Sequence, residues 1–294
     1  KPHKISDIIW SGIKDYHHYR SDDGDASWLE VIGRLMFLFS VLVLISTLFF
    51  LFFGSFIYAA DPFFLDASSI LMPPSSAHPF GTDRLGRDLL ARMIEGGQVS
   101  VIIGFSSSLL TILIALMVGF IAGYFRGTID KIVLVVIDLF LTFPTFFLLL
   151  ALVSYMNASV FVLVFIISIT GWMGSARLLR SESFKIVSQP YIKILKMANV
   201  KKSKILFKYF TPMLAPIVLT SFTFGVGGAI LAESGLSFLG LGVTAPQVSW
   251  GTLLSDGKEV IEIAWWVSFF PGFMIFLITF ALINISNKLQ KSTR

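Results

Sequence analysis

No side chain is charged from Leu139 to Ala176, LFLTFPTFFLLLALVSYMNASVFVLVFIISITGWMGSA. A membrane-spanning helix needs about 20 apolar residues, because each residue adds about 1.5 Å and the hydrocarbon core is about 30 Å thick. The uncharged run is therefore too long for one such helix. Residues 157–159, Asn-Ala-Ser, interrupt it, so we predict two spans, near Ile132 to Tyr155 and Val160 to Ala176.

The composition of the whole chain indicates an integral membrane protein. Of its 294 residues, 55% are hydrophobic and 14% are charged, whereas about 25% of residues are charged in soluble domains. The mean hydropathy is +0.81. Several spans with short loops leave no room for a separate catalytic domain, so we predict that this chain is not an enzyme. The absence of cysteine excludes disulfides, thiolate metal sites and cysteine nucleophiles.

The same search for uncharged runs predicts four further spans. They are Leu35 to Ala60, a span within Val99 to Phe125, Pro212 to about Leu236, and Ile263 to Asn287. The predicted fold is thus all-α, with six transmembrane helices. The uncharged stretch 234–255 is rich in glycine, which favours irregular backbone over a seventh span. In the second span, small residues recur every fourth position and let another helix approach closely: Thr111, Ala115, Gly119 and Gly123.

The distribution of basic residues orients the six spans. Of the 23 Lys and Arg residues, all but Arg84, Arg87, Arg92 and Lys258 fall on the side that holds both termini. Because basic loops stay in the cytoplasm, we predict that both termini are cytoplasmic. The predicted organisation is an N-terminal tail 1–33, a first span 34–60, an extracytoplasmic loop 61–98, a core 99–288 that contains the cytoplasmic loop 177–211, and a tail 289–294.

The loop 177–211 carries nine basic residues and one acidic residue, Glu182. Within it, the pattern after Pro190 predicts a short amphipathic helix with Tyr191, Leu195 and Ala198 on one face. Asn199 tolerates the left-handed backbone that ends a helix. This helix could dock onto a partner protein, contact lipid or pack within the chain.

The extracytoplasmic loop contains GTDRLGRD at 81–88. Thr82 or Asp83 could cap a helix, and Asp88 lies four residues from both Arg84 and Arg92. We therefore predict a short helix that lies flat at the outer interface. It could brace the second span, act as a gate element or contact an external substrate-binding protein.

Asp138 and Glu233 are predicted to lie within or at the end of spans, where carboxylates are candidates for function. Either could belong to a gate or a translocation pathway, or could make structural helix contacts. The tail histidines His3, His17 and His18 have no fixed acidic partner, so no metal site is predicted. The spacing of Gly251, Gly257 and Glu259 does not fit a phosphate-binding loop.

Three blocks of sequence resemble the permeases of ABC importers. They are PYIKILKMANVKKSKILFKYFTP at 190–212, HPFGTDRLGRD at 78–88 and ESGLSFLGLG at 233–242. The chain is similar to the C-type permease subunits of the dipeptide, oligopeptide and nickel importers. Where that family has Glu-Ala-Ala and then Gly, this chain has Lys193, Ile194, Leu195 and Asn199.

The resemblance implies a type I importer fold with a cytoplasmic coupling helix between the fourth and fifth spans. It implies contact with an ATPase through Tyr191, Ile192, Leu195, Ala198, Asn199 and Lys202. It also implies an extracytoplasmic signature of Thr82, Asp83, Arg87 and Asp88.

The partners implied are a second, homologous permease subunit, two ATPase subunits and an extracytoplasmic substrate-binding protein, in a bacterial inner membrane. ATP and magnesium would belong to the ATPases, with no cofactor in this chain. The implied substrate is a short peptide, with nickel or a metal complex as an alternative. An ion-coupled secondary carrier that uses Asp138 and Glu233 is the alternative from another class.

Overall fold

A computed structural model describes residues 23–125, 127–201 and 204–292, and these residues are almost entirely helical. The predicted role of Lys202 falls outside them. The helices are α1 (Asp23–Ile57), α2 (Leu89–Phe125), α3 (Gly127–Leu141), α4 (Thr145–Val153), α5 (Val160–Ser188), α6 (Pro190–Met197), α7 (Thr211–Phe238), α8 (Trp250–Lys258) and α9 (Trp265–Ser292). Short 3-10 and π-helical turns occupy Ala67–Ser69 and Ile205–Phe210.

Five of the helices are long and apolar enough to cross a membrane, namely α1, α2, α5, α7 and α9. Helices α3 and α4 form a sixth candidate span that bends by 77°. The prediction of one continuous third span is therefore wrong. The bend lies at Pro144, which has no backbone N–H and disfavours helical backbone in Phe143.

Two spans continue well past their predicted ends. Helix α2 begins at Leu89 and not near Val99, because the carboxylate of Asp88 accepts the backbone N–H of Ala91 at 2.9 Å and caps the first turn. Helix α5 continues to Ser188 and not to Ala176, since charged residues stop the apolar run but do not stop a helix.

Part of the stretch predicted to be irregular is helical. Helix α8 begins after Ser249, whose hydroxyl accepts the backbone N–H of Thr252 while the Thr252 hydroxyl accepts the backbone N–H of Ser249. This reciprocal capping box starts a helix. The backbone between Phe238 and Ser249 is irregular, as predicted.

The extracytoplasmic loop contains no helix at 82–88, so the prediction of an interfacial helix there is wrong. Thr82 and Asp88 instead form an isolated antiparallel bridge. Asp83 accepts the backbone N–H groups of Leu85 and Arg87 at 2.8 and 3.0 Å, and Gly86 has φ of 73°. A short carboxylate that captures its own backbone favours a turn over a helix.

The small residues of α2 pack against α5, as their spacing predicts. A Cβ atom on Gly119 would lie 2.8 Å from the carbonyl oxygen of Ala176, and one on Gly123 would lie 2.5 Å from Cβ of Ser183. Ala115 is fully buried. Helix α2 thus packs against α5, and it also contacts α7 and α1.

Candidate functional site

Helix α6 lies on the side of the molecule that carries the basic loop. Pro190 occupies its first position, which suits a residue without a backbone N–H. At its other end Asn199 has φ of 53°, and the Val200 N–H donates to the Leu195 carbonyl at 3.1 Å. That six-residue closure is the Schellman motif. The left-handed backbone predicted for Asn199 is confirmed.

The two faces of α6 differ from those that the sequence predicts. Ile192 is fully buried, whereas Ile194 and Met197 are 59% and 75% exposed. Tyr191 contacts α7 through a hydrogen bond from its hydroxyl to the sulfur of Met213. Leu195 is half-buried and Ala198 is exposed. The exposed pair Ile194 and Met197, three residues apart, was missed because Ile192 was not recognised as the anchoring residue.

A cavity of about 540 Å³ lies among α2, α4, α5, α7 and α9. The hydroxyl groups that line it come from several helices and include those of Thr111, Thr170 and Thr220. Gly171 and Gly228 also line it, where the absence of a side chain leaves space. Asn287 and Gln290 close the end nearest the basic loop. The lining residues that the structure describes include no charged side chain and no histidine. Such a wall offers hydrogen bonds without a fixed charge.

Neither predicted carboxylate is among the lining residues of this cavity. The side chain of Glu233 is fully buried in α7. Its Oε1 atom accepts the hydroxyls of Ser237 and Ser249, both at 2.6 Å, and its Oε2 atom accepts the hydroxyl of Ser100 at 3.3 Å. Glu233 thereby connects α7 to α2 and to the first turn of α8.

Asp138 lies on α3 and forms an ion pair with Arg177 on α5. Both side chains are about half exposed, at 55% and 52%. Closer to the basic loop, Asp130 on α3 binds the guanidinium of Arg180 on α5 with both carboxylate oxygens. Two ion pairs therefore link α3 to α5 along one side.

The predicted extracytoplasmic signature residues come together around two buried aspartates. Asp83 accepts Nε of Arg87 at 2.7 Å and also binds Arg92. Burial works against its charge, but Arg92 and the backbone N–H of Leu85 outweigh burial and lower the pKa of Asp83. Sequence spacing missed the partner Asp256 on α8, which lies 3.6 Å from Arg92.

Asp256 and Asp88 complete this cluster. Burial raises the pKa of Asp256, although Arg92 and Arg84 oppose the rise. Asp88 accepts the Tyr58 hydroxyl at 2.7 Å and lies 2.8 Å from Nδ1 of His78. The expected pairs of Asp88 with Arg84 and Arg92 do not form, because Arg84 reaches Glu259 and Arg92 reaches Asp83. The outer loop is thus fastened to α1, α2 and α8.

Comparison with known proteins identifies the fold and the family. Residues 115–294 match the family described as binding-protein-dependent transport system inner membrane component. The chain belongs to this family. It is therefore a permease of the ABC importer class and a multi-pass inner-membrane protein, in a family that implies ATPase and substrate-binding partners.

Individual permeases are similar over most of the chain. The dipeptide transport system permease protein DppC of Bacillus subtilis is 35% identical over 220 residues, which cover 74% of this chain and 69% of the relative. The oligopeptide transport system permease protein OppC of Mycobacterium bovis is 37% identical over 217 residues, covering 73% and 74%. The probable D,D-dipeptide transport system permease protein DdpC of Escherichia coli is 27% identical over 267 residues, covering 91% and 89%.

A solved structure shows the same fold as the permease. The inward-facing MetNI methionine ABC transporter superposes with a TM-score of 0.54 at 14% sequence identity, over 67% of this chain and 95% of that chain. The permease therefore has the transmembrane fold of a type I ABC importer.

Proposed function

We propose that this permease forms half of the translocation pathway for short peptides, which an external substrate-binding protein delivers. The observation that carries the proposal is the 540 Å³ cavity, whose hydroxyl-bearing, uncharged lining suits a peptide backbone of any side-chain charge. The names of the relatives support peptides as the substrate, since they are dipeptide and oligopeptide transport proteins. A lining without histidine or carboxylate does not favour nickel.

The other half of the pathway would come from a second, homologous permease subunit. The exposed apolar side chains of α3 and α4, such as Val135, Leu139 and Phe147, support a further transmembrane partner. With both termini in the cytoplasm, α6 would face one of two ATPase subunits, and the second permease would contact the other. This orientation rests on the basic residues of the loop 177–211.

Helix α6 would couple ATP binding to the pathway. Its exposed side chains Ile194 and Met197 are available to an ATPase, while Ile192 and Tyr191 fix it to the rest of the chain. Because Tyr191 contacts α7 and α6 follows α5 directly, a displacement of α6 would move two helices that line the cavity. Closure of the ATPases would thus favour the outward-open state, and their release would restore the inward-open state.

The chemistry of ATP would take place on the partner chains. No group of three or more potential metal ligands occurs among the residues that the structure describes. ATP and magnesium would bind the ATPase subunits. The permease itself would be a non-catalytic subunit.

Reconstitution tests this proposal. The permease, co-expressed with its second permease and ATPases, would be placed in proteoliposomes with the external binding protein and a labelled tripeptide. We expect uptake that requires ATP and every subunit. Uptake by this chain alone, driven by an ion gradient, would contradict the proposal and favour a secondary carrier.

A further inference from the structure

A groove distinct from the translocation cavity lies between α2 and α7, with a volume of about 800 Å³. We call it the α2–α7 groove. Apart from Thr211, the described residues that line it are apolar. Two edge-to-face aromatic pairs bound it, Phe120 with Phe210 at one end and Phe105 with Phe222 at the other, each with ring centroids 5.2 Å apart.

The groove has the length of one membrane leaflet. From Phe210 to Phe222 the helix rises about 18 Å at about 1.5 Å per residue, and half of the hydrocarbon core is about 15 Å thick. The end at Phe210 adjoins the basic loop, and the other end lies near the middle of the span. Met117 and Leu219 on its rim are 68% and 49% exposed, so the groove opens toward the surrounding membrane.

Positive charge is concentrated at the end next to the basic loop. Lys201, Lys204 and Lys208 precede Phe210 closely in the sequence and are exposed, and none of them forms an ion pair with a carboxylate that the structure describes. The neighbouring carboxylates already have partners, since Asp130 binds Arg180 and Glu182 binds Lys185. Lys208 lies three residues before Thr211, on the adjacent turn.

We propose that the α2–α7 groove binds one acyl chain of an anionic phospholipid, whose phosphate pairs with Lys204 and Lys208. An apolar channel of one leaflet's length that ends at unpaired lysines matches both parts of such a molecule. Basic pockets between transmembrane helices are known to bind anionic headgroups. The bound lipid would contact the π-helical turn Ile205–Phe210 and so stabilise the junction of the loop with α7.

Lipid analysis of the intact importer complex tests the charge requirement. Lipids that copurify with the detergent-purified complex are quantified by mass spectrometry against the source membrane. We expect phosphatidylglycerol to be enriched in the wild-type complex. In the double variant Lys204→Gln/Lys208→Gln, the loss of each lysine should lower that enrichment about fivefold. Lys131→Gln, which replaces an exposed lysine of α3 on the same side, should change nothing. No enrichment in the wild-type complex would overturn the proposal.

A second variant tests the groove itself. Ala215→Trp fills the middle of the groove and should abolish the enrichment, whereas Leu231→Trp places the same side chain on an exposed part of α7 outside the groove. Equal enrichment in the two tryptophan variants would contradict the proposal, provided that both complexes elute intact.

Cross-linking identifies the occupant directly. The chain has no cysteine, so Leu219→Cys can carry a unique benzophenone when the partner subunits also lack cysteine. An adduct with the mass of phosphatidylglycerol supports the proposal. An adduct with another polypeptide would overturn it and would assign the groove to a neighbouring subunit.

Discussion

The Oε1 atom of Glu233 accepts the hydroxyl of Ser249 at 2.6 Å, and Ser249 is also the residue that caps α8. A single buried carboxylate thus connects the long apolar helix α7 to the first turn of the short helix α8. The hydroxyl of Ser100 on α2 joins the same carboxylate and also accepts the backbone N–H of Trp250 at 3.1 Å. The hydrogen bonds of Glu233 and Ser100 therefore hold together α2, α7 and α8, which are distant in sequence.

Replacing Glu233 should therefore destabilise the fold. Glu233→Ala leaves buried hydroxyls without their acceptor and should cost about 3 kcal/mol, whereas Glu233→Gln retains one oxygen acceptor and should cost about 1 kcal/mol. The measurement is the unfolding midpoint of the purified complex in detergent. Ser76→Ala, which replaces an exposed serine of the loop 61–98, is the control. Equal midpoints for Glu233→Ala and the wild type would disprove this role.

Asp83 of the outer loop and Asp256 of α8 should respond to pH with opposite signs. The folded state lowers the pKa of Asp83 from its ordinary value of 3.8, so its stabilising effect is present above that value and is lost as the pH falls through the lowered pKa. The pKa of Asp256 is raised, so the stability that it contributes at low pH is lost as the pH rises.

Unfolding midpoints at about pH 3 and about pH 7 distinguish the two effects. From pH 3 to pH 7, the unfolding midpoint of Asp83→Asn should fall relative to that of the wild type. Over the same range, the midpoint of Asp256→Asn should rise relative to that of the wild type. Glu262→Gln, which replaces an exposed carboxylate, should follow the wild type at both values. Parallel curves for all four proteins would show that the cluster does not titrate as described.

The exposed face of α6 should be required for coupling. Ile194→Asp and Met197→Asp leave the buried face intact, so the permease should fold but retain about one tenth or less of the copurifying ATPase. Ile261→Asp replaces an equally exposed isoleucine on the other side of the membrane and should retain the ATPase. ATP-driven uptake should fall in proportion to the ATPase lost. Normal retention by both α6 variants would place the ATPase contact elsewhere.

The turn after α6 should tolerate glycine but not a β-branched residue. Asn199 has φ of 53°, a conformation that glycine adopts freely and that costs other residues about 1–2 kcal/mol. We expect Asn199→Gly to keep the wild-type unfolding midpoint and ATPase content, and Asn199→Val to lower both. If valine is tolerated as well as glycine, the left-handed turn does not contribute to the position of α6.

Two glycine substitutions should have opposite effects on stability. A Cβ atom at Gly123 would lie 2.5 Å from Ser183, whereas nothing lies within 4 Å of a Cβ at Gly33 in α1. Gly123→Ala should force α2 and α5 apart and destabilise the permease by about 1–3 kcal/mol. Gly33→Ala should stabilise α1 by up to about 1 kcal/mol through helix propensity. The unfolding midpoints of the two variants provide the measurement.

The sequence was sufficient to predict features that depend on local composition. Uncharged runs located the spans, the small residues of α2 predicted the close approach of another helix without identifying it, and Asn199 predicted a left-handed turn. Each depends on residues close together along the chain. Helix ends were less accurate because polarity marks the membrane boundary and not the end of a helix.

Features that depend on distant partners could not be predicted. The four-residue spacing of Arg84, Asp88 and Arg92 suits a helix, but the carboxylate of Asp83 captures the backbone, and Asp256 and Glu259 supply competing partners from α8. The cavity was missed for a related reason. Its lining combines single hydroxyls, glycines, amides and apolar side chains from five helices, none of which is unusual in its own segment.

The length of α5 determines how far its end and its midpoint move when the helix tilts. Its 29 residues form a rod of about 43 Å. Helix α6 lies at one end, and the close contact with Gly119 and Gly123 covers the half nearer that end. A tilt of about 5° about the outer end would displace Ser188 by about 4 Å, but would displace the midpoint of the rod by only half as much. If an ATPase displaced α6 in this way, α5 would act as a lever arm that reduces the displacement, and the cavity wall near its midpoint would move by about 2 Å.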